Sequence, residues 1–315
     1  MTKIFPWGHS RRFNDYSSYI KNKYGKRVQK ISINIGVSCP NRDGTKGVGG
    51  CIYCNNTTFK PGYCEPDISI KNQIEKGISF FEKKYPDMNY MAYFQSYTNT
   101  YAPIDYLKKV YYEAISQNKI IGLIIGTRPD CINKEVLDLL KDIAKKVDVT
   151  IELGIESTLD NTLSEINRCH TWQDSKNAIK LCNEYGFDVG IHLILGLPNE
   201  TEMQILEHAN KISKLPITTI KLHQLQIIKD TILEKKYRDN NNYVKPYDVN
   251  EYINLSIRFI ELLNPKIVIE RFVSVSPSDK LIAPKWNKIK NFEIVSMIEK
   301  RLEQLNSYQG KNYTI

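Results

Sequence analysis

The stretch KISINIGVSCPNRDGTKGVGGCIYCNN, residues 30–56, determines how we interpret the rest of the chain. Its first residues alternate between polar and apolar side chains, which predicts a β-strand over residues 30–35. A loop follows that carries Cys39, Cys51 and Cys54, with four glycines between the first two cysteines. We therefore expect a strand that leads into a loop presenting three thiols, which suits a metal site better than a packed core.

The three thiols leave two kinds of metal site open. Structural zinc is normally held by four protein ligands. The next cysteine, Cys64, lies ten residues after Cys54, which is not the close, regular spacing of a fourth zinc ligand. A 4Fe–4S cluster with three protein ligands leaves one iron open to a small molecule. The spacing favours the cluster and keeps structural zinc as the alternative.

The composition is that of a globular protein, with 315 residues, 41% hydrophobic and 25% charged. It allows one large domain or two smaller ones. No apolar run is long enough for a membrane span, and the basic, aromatic start lacks the apolar segment of a secretory signal. Seven cysteines, an odd number without a regular framework, indicate a reducing compartment, so we predict a cytoplasmic protein without a membrane partner.

The net charge of +9 is compatible with a nucleic-acid partner or a phosphorylated substrate. A compositional bias towards Lys and Asn explains the same excess, and charge alone does not separate the two. Residues 1–29 interleave basic and aromatic side chains, which can stack on bases and hold phosphates. We favour the simpler interpretation, an amphipathic helix that covers the first strand with a solvated basic face.

Apolar periodicity predicts an alternation of strands and helices along the chain. The predicted strands are residues 30–35, 90–95, 120–126, 149–154, 188–195 and 218–225, and the helices between them 69–84, 104–117, 134–146, 172–185 and 201–213. This order implies parallel βαβ units, in a partial barrel or an open doubly wound sheet, with the chemistry at the C-terminal strand ends.

The C-terminal part is expected to extend this core. Residues 226–250 are polar and predict a loop or linker, before a helix over 247–263, an added strand within 266–273 and a charged helix over 294–305. We divide the chain into an N-terminal extension, residues 1–29, a core, residues 30–226, and a C-terminal extension, residues 227–315, that packs on the core.

The motifs at the predicted strand ends resemble those of the radical S-adenosylmethionine (SAM) superfamily. The C-x2-C half of its cysteine motif and the aromatic Tyr53 match, but eleven residues separate Cys39 from Cys51 where the commonest spacing is three. The wider gap resembles the branch that contains the catalytic subunit of the elongator complex. Six motifs in order resemble a bacterial family of similar length, related to a Gram-positive tRNA wobble-uridine modification enzyme: SCPNRDGTKGVGGCIYC, AYFQSYTNTY, GTRPDC, ELGIES, INRCHT and HLILGLPNET.

The resemblance, which spans about residues 10–300, implies a fold, two cofactors and an activity. The fold is an α/β partial TIM-type (β/α)6 barrel. Cys39, Cys51 and Cys54 hold a 4Fe–4S cluster whose open iron is chelated by the amino and carboxylate groups of SAM, and reductive cleavage of SAM generates a radical that abstracts hydrogen from the substrate. The electron comes from a low-potential donor such as flavodoxin or ferredoxin.

The implied substrate is a tRNA wobble uridine, from whose carboxymethylaminomethyl side chain the carboxymethyl group is removed. Acetyl transfer is not expected, because the acetyltransferase domain of the elongator subunit has no room after residue 300. Radical chemistry on a small metabolite or cofactor is one alternative. A zinc-containing RNA-binding protein without catalysis is the other.

Two groups of site residues are expected at the strand ends. The sequence QSYTN stands where the superfamily usually has a glycine-rich turn for the SAM amino group, Arg168 would pair with the SAM carboxylate, and Asp130 could equally cap the next helix. Cys169 replaces a frequent glycine, and His170 is interpreted as an ordinary polar contact. The expected SAM residues are Gln95, Thr127, Asp130, Glu152, Glu156, Arg168, His192 and Leu225, and the substrate residues Tyr97, Arg128, Lys221, His223 and Arg271.

Overall fold

A computed structural model describes residues 3–55, 58, 60–83, 85–286 and 289–314. Some residues of the predicted features lie outside this part of the chain. They are Met1 and Thr2 of the N-terminal extension, Asn56 of the cysteine stretch, Thr57 and Phe59 of the core, Lys84 of the helix predicted over residues 69–84, and Asn287, Lys288 and Ile315 of the C-terminal extension.

Seven strands, hydrogen-bonded in chain order, form one parallel sheet at the core, and two further strands, Ile227–Ile228 and Leu281–Ala283, pair in a separate antiparallel ribbon. The predicted alternation is confirmed, and the strand expected within residues 266–273 is the seventh of the sheet. The strands are β1 (Val28–Ile33), β2 (Asn89–Phe94), β3 (Ile120–Thr127), β4 (Asp148–Glu156), β5 (Asp188–Leu195), β6 (Thr219–Gln224), β7 (Ile227–Ile228), β8 (Val268–Arg271) and β9 (Leu281–Ala283).

The helices begin where the sequence places side chains that can accept from free backbone N–H groups. Thr171 and Thr201 each form a reciprocal capping box with the third residue of the helix that follows. None of the helices in the described ranges is long and apolar enough to cross a bilayer. They are α1 (Tyr16–Tyr24), α2 (Ile70–Glu82), α3 (Ile104–Ile115), α4 (Lys134–Ile143), α5 (Asp160–Glu165), α6 (Trp172–Glu184), α7 (Glu202–Ile212), α8 (Ile232–Asp239), α9 (Val249–Leu262) and α10 (Asn291–Gln304).

The sheet curls into a partial barrel. Lys30 Nζ in β1 lies 2.8 Å from Glu152 Oε1 in β4 and 2.6 Å from Glu270 Oε1 in β8. Neighbouring strands are about 4.8 Å apart, so β1 and β4 would be roughly 14 Å apart in a flat sheet. The Lys30 side chain can reach both β4 and β8 only because the sheet bends around it. The sheet is therefore a partial barrel and not an open doubly wound sheet.

The N-terminal extension covers the gap between the two edge strands. Asp15 caps α1 and forms a parallel bridge with Ile269 in β8, while α1 packs against both β1 and β8. The expected helix over the first strand is confirmed, and it also closes the barrel against the last strand.

The prediction of a loop or linker over residues 226–250 is confirmed for residues 240–248 and wrong for most of residues 227–239. This segment contains β7 and α8, and Thr231 caps α8 through the Glu234 N–H. Leu233 is fully buried, and Glu234 pairs with Arg238 one turn later. The helix was not predicted because the sequence after residue 236 is polar and the helix buries a single side chain. One buried residue does not produce a periodic apolar pattern.

Candidate active site

A cavity of about 260 Å³ opens at the C-terminal ends of the strands. Cys39, Cys51 and Cys54 line it together with residues from the ends of β2 to β6 and from β8. All the predicted SAM and substrate residues except Asp130 line the same cavity, so the structure brings together side chains that are far apart in the sequence. Their individual roles remain predictions.

Asp130 lies outside the cavity lining and is held by two basic side chains. Its carboxylate accepts from Arg128 Nε at 2.9 Å and from Lys46 Nζ at 2.6 Å. The alternative that Asp130 caps the next helix is wrong, because the cap of α4 is Asn133. The Arg128 guanidinium, 2% exposed, is thus paired with a carboxylate, while its buried Nη1 has no hydrogen-bond partner in the described part of the chain, so anion binding by this residue stays a prediction.

Hydrogen-bond donors point at two of the three cavity thiols. Thr98 Oγ1 donates to Cys39 Sγ at 2.9 Å, and Asn41 Nδ2 donates to Cys51 Sγ at 3.3 Å. Burial, followed by the charges of the neighbouring Cys51 and Cys39, raises the pKa of Cys54 to about 12. Because ligand thiols bind as thiolates, donors on sulfur favour the form that a metal group requires.

The three thiols fit a cluster better than a closed zinc site. Cys64, the candidate fourth ligand, is fully buried, its carbonyl accepts from Asn34 Nδ2, and it does not line the cavity. Within the described ranges, no three His, Cys, Asp or Glu side chains converge as ligands of a single ion. Thiols spread around a cavity suit a four-iron cube held by three protein ligands.

Arg168 contacts one of these thiols. Its Nη1 donates to Cys51 Sγ at 3.5 Å, and its Nη2 donates to the carbonyl of Gly154 and lies 3.6 Å from Glu156 Oε1. A Cβ on Gly154 would lie 2.8 Å from Nη2, so this approach requires glycine. Arg168 Nε is buried without a hydrogen-bond partner in the described structure, which fits a cavity able to take a carboxylate such as that of SAM.

An ion network forms the floor of the cavity around Glu152. This carboxylate accepts from Lys30 at 2.8 Å, Lys221 at 2.5 Å and His192 at 3.0 Å. Burial would raise the pKa of Glu152, but Lys221 and Lys30 hold it well below its usual value. Glu152 was predicted to contact SAM, and the structure shows its oxygens already occupied.

Lys221 completes this floor. Besides Glu152 it lies 3.0 Å from Tyr93 OH and 3.2 Å from Glu270 Oε1, and burial lowers its pKa to about 8. Sequence reasoning missed Lys30 and Tyr93. Their signal was weak, because the two residues differ from other strand residues only in pointing into the barrel.

Two further predicted side chains lie on the β6 and β8 wall of the cavity. Burial lowers the pKa of His223 well below its usual value, so the imidazole is neutral. Its Nε2 has no hydrogen-bond partner in the described part of the chain. Arg271 is exposed and takes part in none of the ion pairs among the described residues. This wall can therefore offer a free imidazole nitrogen and a free guanidinium to a bound molecule.

Comparison with known proteins identifies the family. The radical SAM superfamily model matches residues 33–212, and the radical SAM C-terminal domain matches residues 217–304. The MJ0486 protein of Methanocaldococcus jannaschii is 35% identical over 96% of this chain and 92% of its own length. Protein YhcC of Escherichia coli is 33% identical over 87% of each chain.

More distant similarities extend to enzymes of the elongator branch. A tRNA uridine(34) acetyltransferase of Dehalococcoides mccartyi is 26% identical over 52% of this chain and 35% of its own. The structure of Elp3 from Methanocaldococcus infernus superposes with a TM-score of 0.69, at 16% identity, over 90% of this chain and 64% of that one, which supports the fold. Radical SAM proteins use a 4Fe–4S cluster and SAM, and the cavity described above has the thiols for the first. The chain therefore belongs to the radical SAM superfamily.

Proposed function

We propose that this radical SAM enzyme acts on the wobble uridine of tRNA and removes the carboxymethyl group from a carboxymethylaminomethyl side chain. The observation that supports this choice of substrate is the similarity to a relative named tRNA uridine(34) acetyltransferase, which covers about half of this chain. That similarity spans only 35% of the relative, so the acetyl transfer in its name is not carried over.

We assign the following roles to the residues of the cavity. Cys39, Cys51 and Cys54 hold the cluster, and Arg168 binds the SAM carboxylate through its unpaired Nε. When bound, the cluster and SAM supply one-electron reductive cleavage of SAM and abstraction of a hydrogen atom from the substrate. The Glu152 network forms a fixed floor, which orients both molecules in the cavity.

The charge of the cavity wall suits this substrate. A carboxymethylaminomethyl group ends in a carboxylate, and the exposed guanidinium of Arg271 is free to pair with it. The methylene between the amine and the carboxylate carries the hydrogen to be removed, because both neighbours stabilise an unpaired electron on that carbon. Loss of that electron to an oxidant such as the oxidised cluster would give an iminium ion, and its hydrolysis by water would release glyoxylate and leave the aminomethyl group. The neutral imidazole of His223 lines the same wall and can hydrogen-bond the amine.

The test combines purified protein and tRNA. The chain is reconstituted anaerobically with iron and sulfide, then incubated with SAM, a low-potential reductant such as dithionite or reduced flavodoxin, and tRNA that carries carboxymethylaminomethyluridine. We expect 5′-deoxyadenosine together with aminomethyluridine in the tRNA, both measured by mass spectrometry. The tRNA of cells lacking the gene should show the reverse, with the carboxymethylated nucleoside retained.

Other outcomes would point elsewhere. Cleavage of SAM with an unchanged tRNA would contradict the tRNA substrate and favour a small metabolite. Colourless protein that binds zinc tightly and does not cleave SAM would contradict the enzyme itself and favour the RNA-binding alternative.

A further inference from the structure

The donors around the three thiols are unevenly distributed. Cys39 receives the hydroxyl of Thr98 at 2.9 Å, and Cys51 receives Asn41 at 3.3 Å and Arg168 at 3.5 Å. Asn41 and Arg168 each also donate a hydrogen bond to a backbone carbonyl of the site, so the thiol is not their single partner. The hydroxyl of Thr98 is different, because the thiol is its one hydrogen-bond partner among the described residues.

The loop that carries Thr98 is held in place, so the hydroxyl has a fixed direction. Asn99 Nδ2 donates to the carbonyls of Phe94 at 3.0 Å and Gly126 at 2.8 Å, which ties the loop to the ends of β2 and β3. The N–H of Tyr101 donates to the Thr98 carbonyl at 3.0 Å. Thr98 is fully buried, so water does not compete for its hydroxyl.

We propose that Thr98 is a positioning residue that raises the reduction potential of the cluster through its hydrogen bond to the Cys39 sulfur. Reduction adds one electron and no proton to the bound cluster, and the added negative charge spreads onto the thiolates. A donor on sulfur stabilises this more negative state, so it makes reduction easier. The inference rests on Cys39 as a cluster ligand and is independent of the tRNA substrate.

The experiment is a redox titration of the full-length reconstituted protein, without SAM or tRNA, with dithionite as reductant and the reduced cluster followed by electron paramagnetic resonance. Thr98→Val keeps the shape and loses the donor, and Thr98→Ser keeps the donor. We expect a more negative midpoint potential for Thr98→Val and a wild-type midpoint for Thr98→Ser. Thr100→Val is the control in the same loop, because its hydroxyl bonds Thr127 Oγ1 and the Cys131 carbonyl and touches no cluster thiol.

Equal midpoints for wild type, Thr98→Val and Thr98→Ser, at equal iron content, would overturn the proposal. If Thr98→Val does not retain the cluster, Thr98→Ala takes its place. If neither retains it, proton hyperfine spectroscopy of the wild type decides. An exchangeable proton coupling to the reduced cluster in addition to those expected from Asn41 and Arg168 at Cys51, kept in Thr98→Ser, supports the hydroxyl contact, and the absence of this additional coupling contradicts it. All these readouts hold whether or not tRNA is the substrate.

Discussion

Lys30 Nζ in the first strand of the sheet lies 2.6 Å from Glu270 Oε1 in the last strand. The same ammonium reaches Glu152 in the middle strand, and all three side chains are largely buried. A buried charge is tolerated only when it is paired, so this contact fixes how far the sheet curls. The curvature in turn places the strand ends around one cavity.

Removal of Lys30 should destabilise the fold. Lys30→Met leaves two buried carboxylates with one cation fewer, and we expect a loss of about 3 kcal/mol in the free energy of unfolding, measured by urea denaturation. Lys26→Met is the matched control, because its partner Asp87 is 96% exposed; it should change stability by less than about 0.5 kcal/mol. Equal stability of the two variants would mean that the network does not hold the barrel.

The strands and most helices were predictable because their apolar residues are continuous or periodic. The curl of the sheet was not, because it depends on Lys30, a polar residue inside a strand that alternation alone places on either face. The helix over Ile232–Asp239 was missed because a single buried leucine does not produce a periodic apolar pattern.

Gly154 should prove essential to the placement of Arg168. A methyl group on Gly154 would lie 2.8 Å from Arg168 Nη2 and 2.7 Å from Glu156 Oε1, so Gly154→Ala must displace at least one of these two side chains and disturb their pairing. We expect the dissociation constant for SAM, measured by calorimetry on reconstituted protein, to rise about tenfold, equivalent to ~1.4 kcal/mol. Gly62→Ala meets no atom within 4 Å and should bind like wild type. Unchanged affinity in Gly154→Ala would remove Arg168 from SAM binding.

His170 should make the fold sensitive to acid. Burial, followed by the charge of Arg168, lowers its pKa from 6.5 to about 3, although Asp130 opposes this. Below pH 6.5 the unfolded imidazole takes up a proton that the folded one does not, so stability falls as the pH decreases.

The difference between wild type and His170→Asn measures this effect. Between about pH 7.5 and 5.5, wild type should lose about 1.4 kcal/mol more than the variant in urea denaturation. Parallel losses in the two proteins would show that His170 is protonated in the folded state.

Arg271 should act on the substrate. Arg271→Gln removes the free guanidinium on the cavity wall, and we expect KM for the modified tRNA to rise about tenfold, with a smaller change in kcat. Arg301→Gln, on the exposed face of α10, is the charge-matched control and should leave KM unchanged. If Arg271→Gln keeps its KM while Arg42→Gln, another exposed arginine of the lining, loses affinity, Arg42 holds the anion instead.

The part of the candidate site that lies at strand ends or within recognisable motifs could be predicted from the sequence. The three cysteines and Arg168 meet in one cavity as expected, because the C-terminal ends of parallel strands meet at one rim. Asp130 was misplaced because a carboxylate two residues from an arginine pairs with it locally, which spacing does not reveal. The donors Thr98 and Asn41 could not be foreseen, since they depend on the path of two loops.

The assignment of the cluster to the three cavity thiols is the central claim, and it has a direct test. Wild type and the variants Cys39→Ala, Cys51→Ala and Cys54→Ala are reconstituted in parallel, and iron content and 5′-deoxyadenosine are measured. Cys64→Ala is the control, because this buried thiol lies outside the cavity lining. We predict about four irons per chain and SAM cleavage in wild type and Cys64→Ala, and loss of both in the three cavity variants. Retention of the cluster in any cavity variant, or its loss in a folded Cys64→Ala protein, would contradict the assignment.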